Sequence, residues 1–530
     1  MSLHWMTLVR LVVGGLCLLL TGPLLAQDAK DVQRVAAEID RLIAARYEQE
    51  GVTPAPIADD AEFLRRLHLD LCGRIPRAAE VRDFIADPSP DKRRLVIEEL
   101  LTRPTFVIHH TNLWRAAMIP EADADQGIRF QLPGFEAWLR SRIAENRNFA
   151  EITREILTLP LDARNQQQFA QPNSPTPAAF YLAKEFKVEG LTAATSRLFL
   201  GVRIDCAQCH HHPFDQWKQP QFWSLAALFG DLPNPTQPNP GTFAPVGDGR
   251  SIKIPDTETT VTSKFLDGTE PVWADNKSGR ELLADWITAP ENPYFAKAAV
   301  NRIWSYHFGL GLVEPMDDFS ENNPPSHPEI LDLLAREFVA HNYDIKFITR
   351  AITNSSTYQL SSRQTDPSQS NARLYGRVAV RGLTPEQIFD SLAQATGYRQ
   401  PFDPEQPINF NNDQSRQEFV GTFTNDADSP TDRATTILQA LSLMNGQFVS
   451  NATDLTDSRT LAAIIDAPFL DDEGKVDALY LTTLSRMPSN AEREHCLNYL
   501  KSGGANADPK SATSDLFWAL LNSSEFLLNH

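Results

Sequence analysis

Two cysteines, three histidines and an aspartate fall within one ten-residue segment, Cys206-Ala207-Gln208-Cys209-His210-His211-His212-Pro213-Phe214-Asp215. Random placement of the chain's 5 cysteines and 12 histidines would produce C-x-x-C-H about 0.001 times, so accident explains the motif poorly. Two thiols at this spacing can add to the two vinyl groups of one porphyrin, and the imidazole that follows can reach the iron as proximal ligand. On this reading Cys206, Cys209 and His210 hold one haem c. Two other chemistries use the same residues. A zinc ion could take Cys206, Cys209, His212 and Asp215, since adjacent Cys209 and His210 would find it awkward to bind one tetrahedral ion. A Cys206–Cys209 disulfide, structural or redox-active, needs only the thiol pair and an oxidising compartment. Haem would also call for a second axial ligand, for which His212, His307, Met118 and Met316 are candidates.

Helices must position this cluster. Leu191, Ala194, Leu198 and Val202 recur with helical spacing before it, and Phe222, Leu225, Ala226 and Phe229 do so after it. Upstream, Phe63, Leu67 and Leu71, then Leu95, Ile97, Leu100 and Leu101, mark further helices broken at Gly73, at Pro88-Ser89-Pro90 and at Pro104. The proline-rich stretch from Pro160 to Pro177 reads as an exposed loop. Between Asp231 and Gly279 prolines cluster, and Thr-rich alternation from Ile252 to Val261 suggests a short β-hairpin. In the second half, Ser326-His327-Pro328-Glu329 and Thr384-Pro385-Glu386-Gln387 read as capping boxes. They precede Ile330, Leu333, Leu334 and Phe338, and Ile388, Leu392 and Ala395. A later helix carries Ile437, Leu441 and Met444 up to Asn445-Gly446, and a C-terminal one begins near Ser514 with Leu516, Ala519 and Leu520. The expected fold is mainly α: two helical domains, 27–230 and 280–530, joined by a Pro/Thr-rich linker, 231–279, with minor β-hairpin content.

Composition bounds the function. The 530 residues are 42% hydrophobic and 22% charged, enough for sizeable cores and incompatible with disorder or a disulfide-stapled mini-fold. A net charge of −19 excludes nucleic acid as a partner, because no basic stripe overrides the global field. Residues 1–26 read as a secretory signal peptide: Arg10, then apolar Leu11 to Leu20, then Gly22-Pro23 and small Ala26. Leu24 departs from the small-x-small cleavage rule, so an uncleaved N-terminal anchor also fits. After cleavage no segment approaches the ~18 apolar residues of a transmembrane helix. Export to the periplasm or cell surface puts Cys72, Cys206, Cys209 and Cys496 in an oxidising compartment, where haem c is attached.

Several words in the chain carry a family resemblance. Leu69-Asp70-Leu71-Cys72-Gly73-Arg74-Ile75-Pro76, and Phe199-Leu200-Gly201-Val202-Arg203-Ile204 leading into the cysteines, resemble the planctomycete cytochrome-like domain, also called domain of unknown function 1549. Leu283-Ala284-Asp285-Trp286, Val300-Asn301-Arg302-Ile303-Trp304, Asn323-Pro324-Pro325-Ser326-His327-Pro328 and Leu443-Met444-Asn445-Gly446 resemble its usual companion, domain of unknown function 1553. The resemblance implies an exported, mainly helical protein whose cytochrome label rests on the cysteine-histidine motif, and it names no reaction. Family members often carry an acidic residue directly after C-x-x-C-H, where this chain has His211, so the resemblance gives that position no ligand role.

The remaining candidates have structural explanations. His307 lies on the apolar stripe of Val300, Ile303 and Trp304 and reads as a satisfied core histidine near a helix C-terminus. His327 belongs to a capped first turn, and Asn301-Arg302 and Asp317-Asp318 read as solvated or ion-paired surface. Cys72 and Cys496 could pair across the two halves. There is no G-x-S-x-G, Walker loop or H-E-x-x-H, so whether the chain is an enzyme stays open. The sequence therefore supports an exported c-type cytochrome-like protein serving electron transfer or another redox step, with a cationic redox partner. The alternative is a non-redox binding or scaffold protein of the cell envelope, whose Cys/His cluster holds zinc or a disulfide.

Overall fold

The computed structural model describes residues 28–123, 125–161, 174–232, 248–399, 414–423, 446, 449, 453–454 and 458–530. The signal peptide, Leu24, the helix expected around Ile437 to Asn445 and most of the loop from Pro160 to Pro177 lie outside them. Helix α1 spans 28–50. In α2 (Asp60–Cys72) the Asp59 side chain accepts from Glu62 N, the stripe Phe63, Leu67 and Leu71 is buried, and Gly73 ends the helix at φ 68°. Next come α3 (Ala78–Ala86) and α4 (Lys92–Thr102), and Pro104 opens α5 (Pro104–Met118), where its missing N–H costs nothing. Ile97, Leu100 and Leu101 are buried as expected, but Leu95 points outward at 52% exposure. Helices α6 (Gln126–Ala144), α7 (Phe149–Leu157), α8 (Ala178–Ala183) and α9 (Val188–Thr195) complete the approach to the cysteines.

After α9 the chain widens into a π-helical turn, Ser196–Leu200, closed by Gly201 at φ 68°. The Gly201 carbonyl accepts from Phe319 N at 2.9 Å, and a Cβ at Gly201 would lie 2.6 Å from the Phe319 ring. Only glycine permits that approach in that backbone conformation. A tight 3₁₀ turn, Asp205–Gln208, carries the first cysteine, and α10 (Gln219–Ala226) follows. The expected hairpin is present as β1 (Ser251–Lys253) and β2 (Thr260–Thr262), with Ile252 opposite Val261.

The second half contains α11 (Gly279–Ile287), α12 (Phe295–Phe308), α13 (Pro328–Ala340), α14 (Ile345–Asn354), the short strand β3 (Arg381–Gly382), α15 (Pro385–Thr396) and α16 (Gln414–Phe423). It ends with α17 (Arg459–Asp466), α18 (Asp472–Thr483), α19 (Asn490–Ser502), α20 (Pro509–Leu521), α21 (Ser524–Leu527) and β4 (Leu528–Asn529), which pairs antiparallel with β3. The Thr384–Gln387 capping box forms as expected. The one at Ser326 does not: the Ser326 hydroxyl donates to Leu312 O at 3.2 Å, and His327 becomes the N-cap residue of α13. The C-terminal α20 starts at Pro509 rather than near Ser514, because Asp508 accepts from Ser511 N at 2.8 Å and caps it there. Its buried face is accordingly Ala512, Thr513, Phe517 and Leu521.

The hydrophobic cores do not divide where the Pro/Thr-rich segment does. One cluster runs from Val32 to Tyr375 across that segment; the other gathers residues from Leu383 to Phe526 and adds Leu69 and Ile75. The apolar stripes of α11, α12 and α14 are covered by first-half elements: α11 packs on α7, α12 on the Ser196–Leu200 turn, and α14 on α4. Phe149 stacks on Phe295 with ring centroids 5.5 Å apart.

Charged residues of α2 tie the pieces together. Arg65 is fully buried and donates to Thr483 O and Phe526 O at 3.1 and 3.0 Å. Arg66 donates to Tyr358 O and Leu360 O at 2.7 and 2.8 Å. Asp70 accepts from Tyr358 Oη at 2.8 Å, from Asn529 Nδ2 at 2.6 Å, and from Arg381, whose guanidinium also holds the His307 carbonyl. Each buried charge is thus paired or surrounded by carbonyls, which offsets its desolvation.

Candidate functional site

The cysteine motif is an exposed loop on a buried footing. Cys206 lies in the 3₁₀ turn and Cys209 directly follows it. Both are exposed, and both are free thiols. Between them Ala207 is fully buried and anchors the turn. The Gln208 carbonyl accepts from Trp223 Nε1 at 2.9 Å and Gln219 Nε2 at 3.2 Å, and the Cys209 carbonyl accepts from Gln219 Nε2 at 3.0 Å. Helix α10 therefore holds the backbone of both residues from one side. On the other side, Arg203 reaches Asp317 of the second half at 2.6 Å.

His210 is exposed, and its Nδ1 lies 2.7 Å from His211 O. A carbonyl only accepts, so this contact assigns a proton to Nδ1. His211 Nδ1 accepts from Gln219 N at 3.2 Å, and His212 Nδ1 accepts from Phe214 N at 3.3 Å. Asp215 Oδ1 accepts from Gln216 N at 2.7 Å. His212 and Asp215 are thus engaged in shaping their own loop. Among the described residues no three His, Cys, Asp or Glu side chains converge into a metal-holding group, so the set Cys206, Cys209, His212 and Asp215 is not assembled as one. Two accessible thiols followed by an imidazole are the donor types that a covalently attached haem would use.

Of the candidate distal ligands, His212 lies in the exposed loop itself. Met118 and His307 are buried at 1% exposure, and Met316 Sδ accepts from Arg302 Nη1 at 3.2 Å. His307 is a core residue, as its stripe predicts, but it is not a satisfied one: neither ring nitrogen has a hydrogen-bond partner. Burial pushes its pKa down to about 4, so it is neutral at physiological pH. Asn301 and Asp317 are not surface residues either. Asn301 is fully buried and clamps the 311–316 loop through Val313 N and O, both at 2.9 Å. Cys72 and Cys496 are buried free thiols, not a disulfide.

Sequence reasoning missed a second feature, a cavity of about 670 Å³ between the halves. It is lined by Cys72, Arg74 and Arg77 at the end of α2, by α5 and α6, and by α15 and α16.

The family described as protein of unknown function (DUF1549) matches residues 38–234, and that described as protein of unknown function (DUF1553) matches 279–500. The chain carries these two domains in tandem, in that order. The cysteine loop lies in the DUF1549 part, and its Arg203–Asp317 tie reaches into the DUF1553 part. Comparison with curated proteins and with solved structures gives no match. Among the described residues of this DUF1549–DUF1553 chain, no helix is long and apolar enough to cross a membrane.

Proposed function

We propose that the protein is an exported c-type cytochrome-like electron carrier with one haem attached through Cys206 and Cys209 and ligated by His210. The observation that carries this reading is the C-x-x-C-H loop itself: two free, exposed thiols followed by an exposed imidazole held through its Nδ1. Bound haem would supply one-electron chemistry. The chain's part is to present the thiols, fix the His210 ring through His211 O, and keep the loop rigid through Gln219, Trp223 and Arg203. With a net charge of −19, its redox partner would dock through a cationic surface, and the association would weaken as salt rises. Expression in a host competent for haem c maturation tests this. Haem-peroxidase staining on a denaturing gel and a pyridine haemochrome spectrum are expected from the wild type and not from Cys206→Ala/Cys209→Ala. A colourless wild-type protein overturns it.

One observation favours a second reading, a non-redox envelope scaffold with a Cys206–Cys209 disulfide: the loop backbone is already held by protein groups and needs no cofactor to keep its shape. Thiol counting by alkylation separates the two, since the scaffold would yield a disulfide and no haem.

A further inference from the structure

We infer that the cavity between the two halves binds an organic oxyanion with at least two negative charges, a polycarboxylate or a phosphate ester. This inference is independent of the cysteine loop. The first half contributes Arg74, Arg77, Arg115, Arg129 and Arg140 to the lining; the second contributes Arg399 and Arg416. Against these seven arginines stand three carboxylates, Glu136, Glu386 and Asp390. A local excess of positive charge is conspicuous in a chain whose net charge is −19. It focuses a field that draws in anions and opposes its own assembly when none is bound.

The carboxylates are already engaged. Glu386 pairs with Arg115 at 3.0 Å, Asp390 with Arg416 at 3.3 Å, and Glu136 lies 3.9 Å from Arg140 and 4.0 Å from Arg115. Arg129 donates to Ala122 O at 3.2 Å. That leaves Arg74, Arg77 and Arg399. The side chains of Arg74 and Arg77 make no hydrogen bond or ion pair among the described residues, and Cys72, Asp390 and Glu80 act on Arg74 only through their fields. Arg74 is half-buried, and burial pushes its pKa below the ordinary arginine range while leaving the guanidinium charged. A partly desolvated cation with no partner is an unmet demand for an anion. Arg77 is exposed beside it.

The lining cations are all arginine, with no lysine among them. The planar fork donates two parallel hydrogen bonds to carboxylate or phosphate oxygens, so several forks converging on one space favour a ligand with more than one such group. The volume, about 670 Å³, lies in the range of organic-ligand sites and far exceeds that of a single inorganic ion. Ile108, Leu132 and Tyr398 give the walls apolar area for a carbon skeleton. The two charged walls come from different families, so the ligand would bridge the DUF1549 and DUF1553 parts.

Isothermal titration of the full chain with citrate and glucose 6-phosphate, with glucose as the neutral comparison, tests the inference. At least one anionic probe is expected to bind, at least tenfold more weakly at high salt, and glucose is not. The tightest probe identifies which oxyanion the site takes. Arg74→Gln/Arg77→Gln is expected to weaken binding at least tenfold with an unchanged melting temperature, since neither side chain holds a partner in the fold. Arg77→Gln alone, at the exposed position, is expected to weaken it several-fold and guards against a misfolded double variant. No binding of any anionic probe, equal binding of glucose, or unchanged binding by folded variants overturns the inference.

Discussion

Arg203, three residues before Cys206, donates to Asp317 Oδ1 through Nε at 2.8 Å and Nη2 at 2.6 Å. Asp317 is 5% exposed and also lies 3.6 Å from Arg197 on the Ser196–Leu200 turn. One buried carboxylate of the second half thus holds both the turn before the cysteine loop and the segment that enters it. Asp317→Ala removes the partner of both arginines. It is expected to destabilise the protein by about 1–3 kcal/mol in denaturant unfolding. Alkylation of Cys206 and Cys209 in the native state should also speed up as the loop loosens.

The cysteines themselves contribute little to the fold. Both side chains are exposed, and the loop is held through the carbonyls of Gln208 and Cys209. Cys206→Ala/Cys209→Ala in the haem-free protein is expected to change unfolding free energy by less than about 0.5 kcal/mol. The same variant should abolish haem staining. A large loss of stability would mean that the thiols do structural work the hydrogen bonds do not reveal.

Asp70 behaves oppositely. It is 5% exposed and accepts from Tyr358, Asn529 and Arg381, joining α2 to the β3–β4 pair. Asp70→Asn leaves the buried Arg381 guanidinium without a counter-charge, and chemical denaturation should show a loss of about 3–5 kcal/mol. Adding Arg381→Met to the same protein should restore part of it, because removing both charges costs less than stranding one.

Stability should fall with pH below neutrality. Burial lowers the pKa of His68 to about 3 and those of His109, His307 and His327 to about 4. In the unfolded chain each returns to about 6.5. Between those limits the unfolded state binds more protons than the folded one, so stability is full above about pH 6.5 and declines as pH drops toward 4. The slope is about 1.4 kcal/mol per pH unit for each histidine that gains a proton on unfolding. Thermal melts across this window should show the decline, and His307→Phe should flatten it.

The sequence by itself determined the helical class, because periodic stripes such as Phe63, Leu67 and Leu71 can be buried only one way, and a capping box such as Thr384–Gln387 acts within a single turn. It also set two thiols and an imidazole side by side, since C-x-x-C-H is a local spacing. Where a local signal met a distant partner, the tertiary structure decided. Ser326 caps nothing because Leu312 O takes its hydroxyl, and the Asn301 side chain is buried because Val313 needs both its donor and its acceptor. The β3–β4 pair joins residues far apart in the chain, and the core runs through the Pro/Thr-rich segment because the stripes of α11, α12 and α14 find their covers in the first half. The arginine-lined cavity has the same origin. Arg74 and Arg416 are far apart in the chain, and only the packing of the segment after α2 on α15, and of α15 on α16, brings their charges to one space.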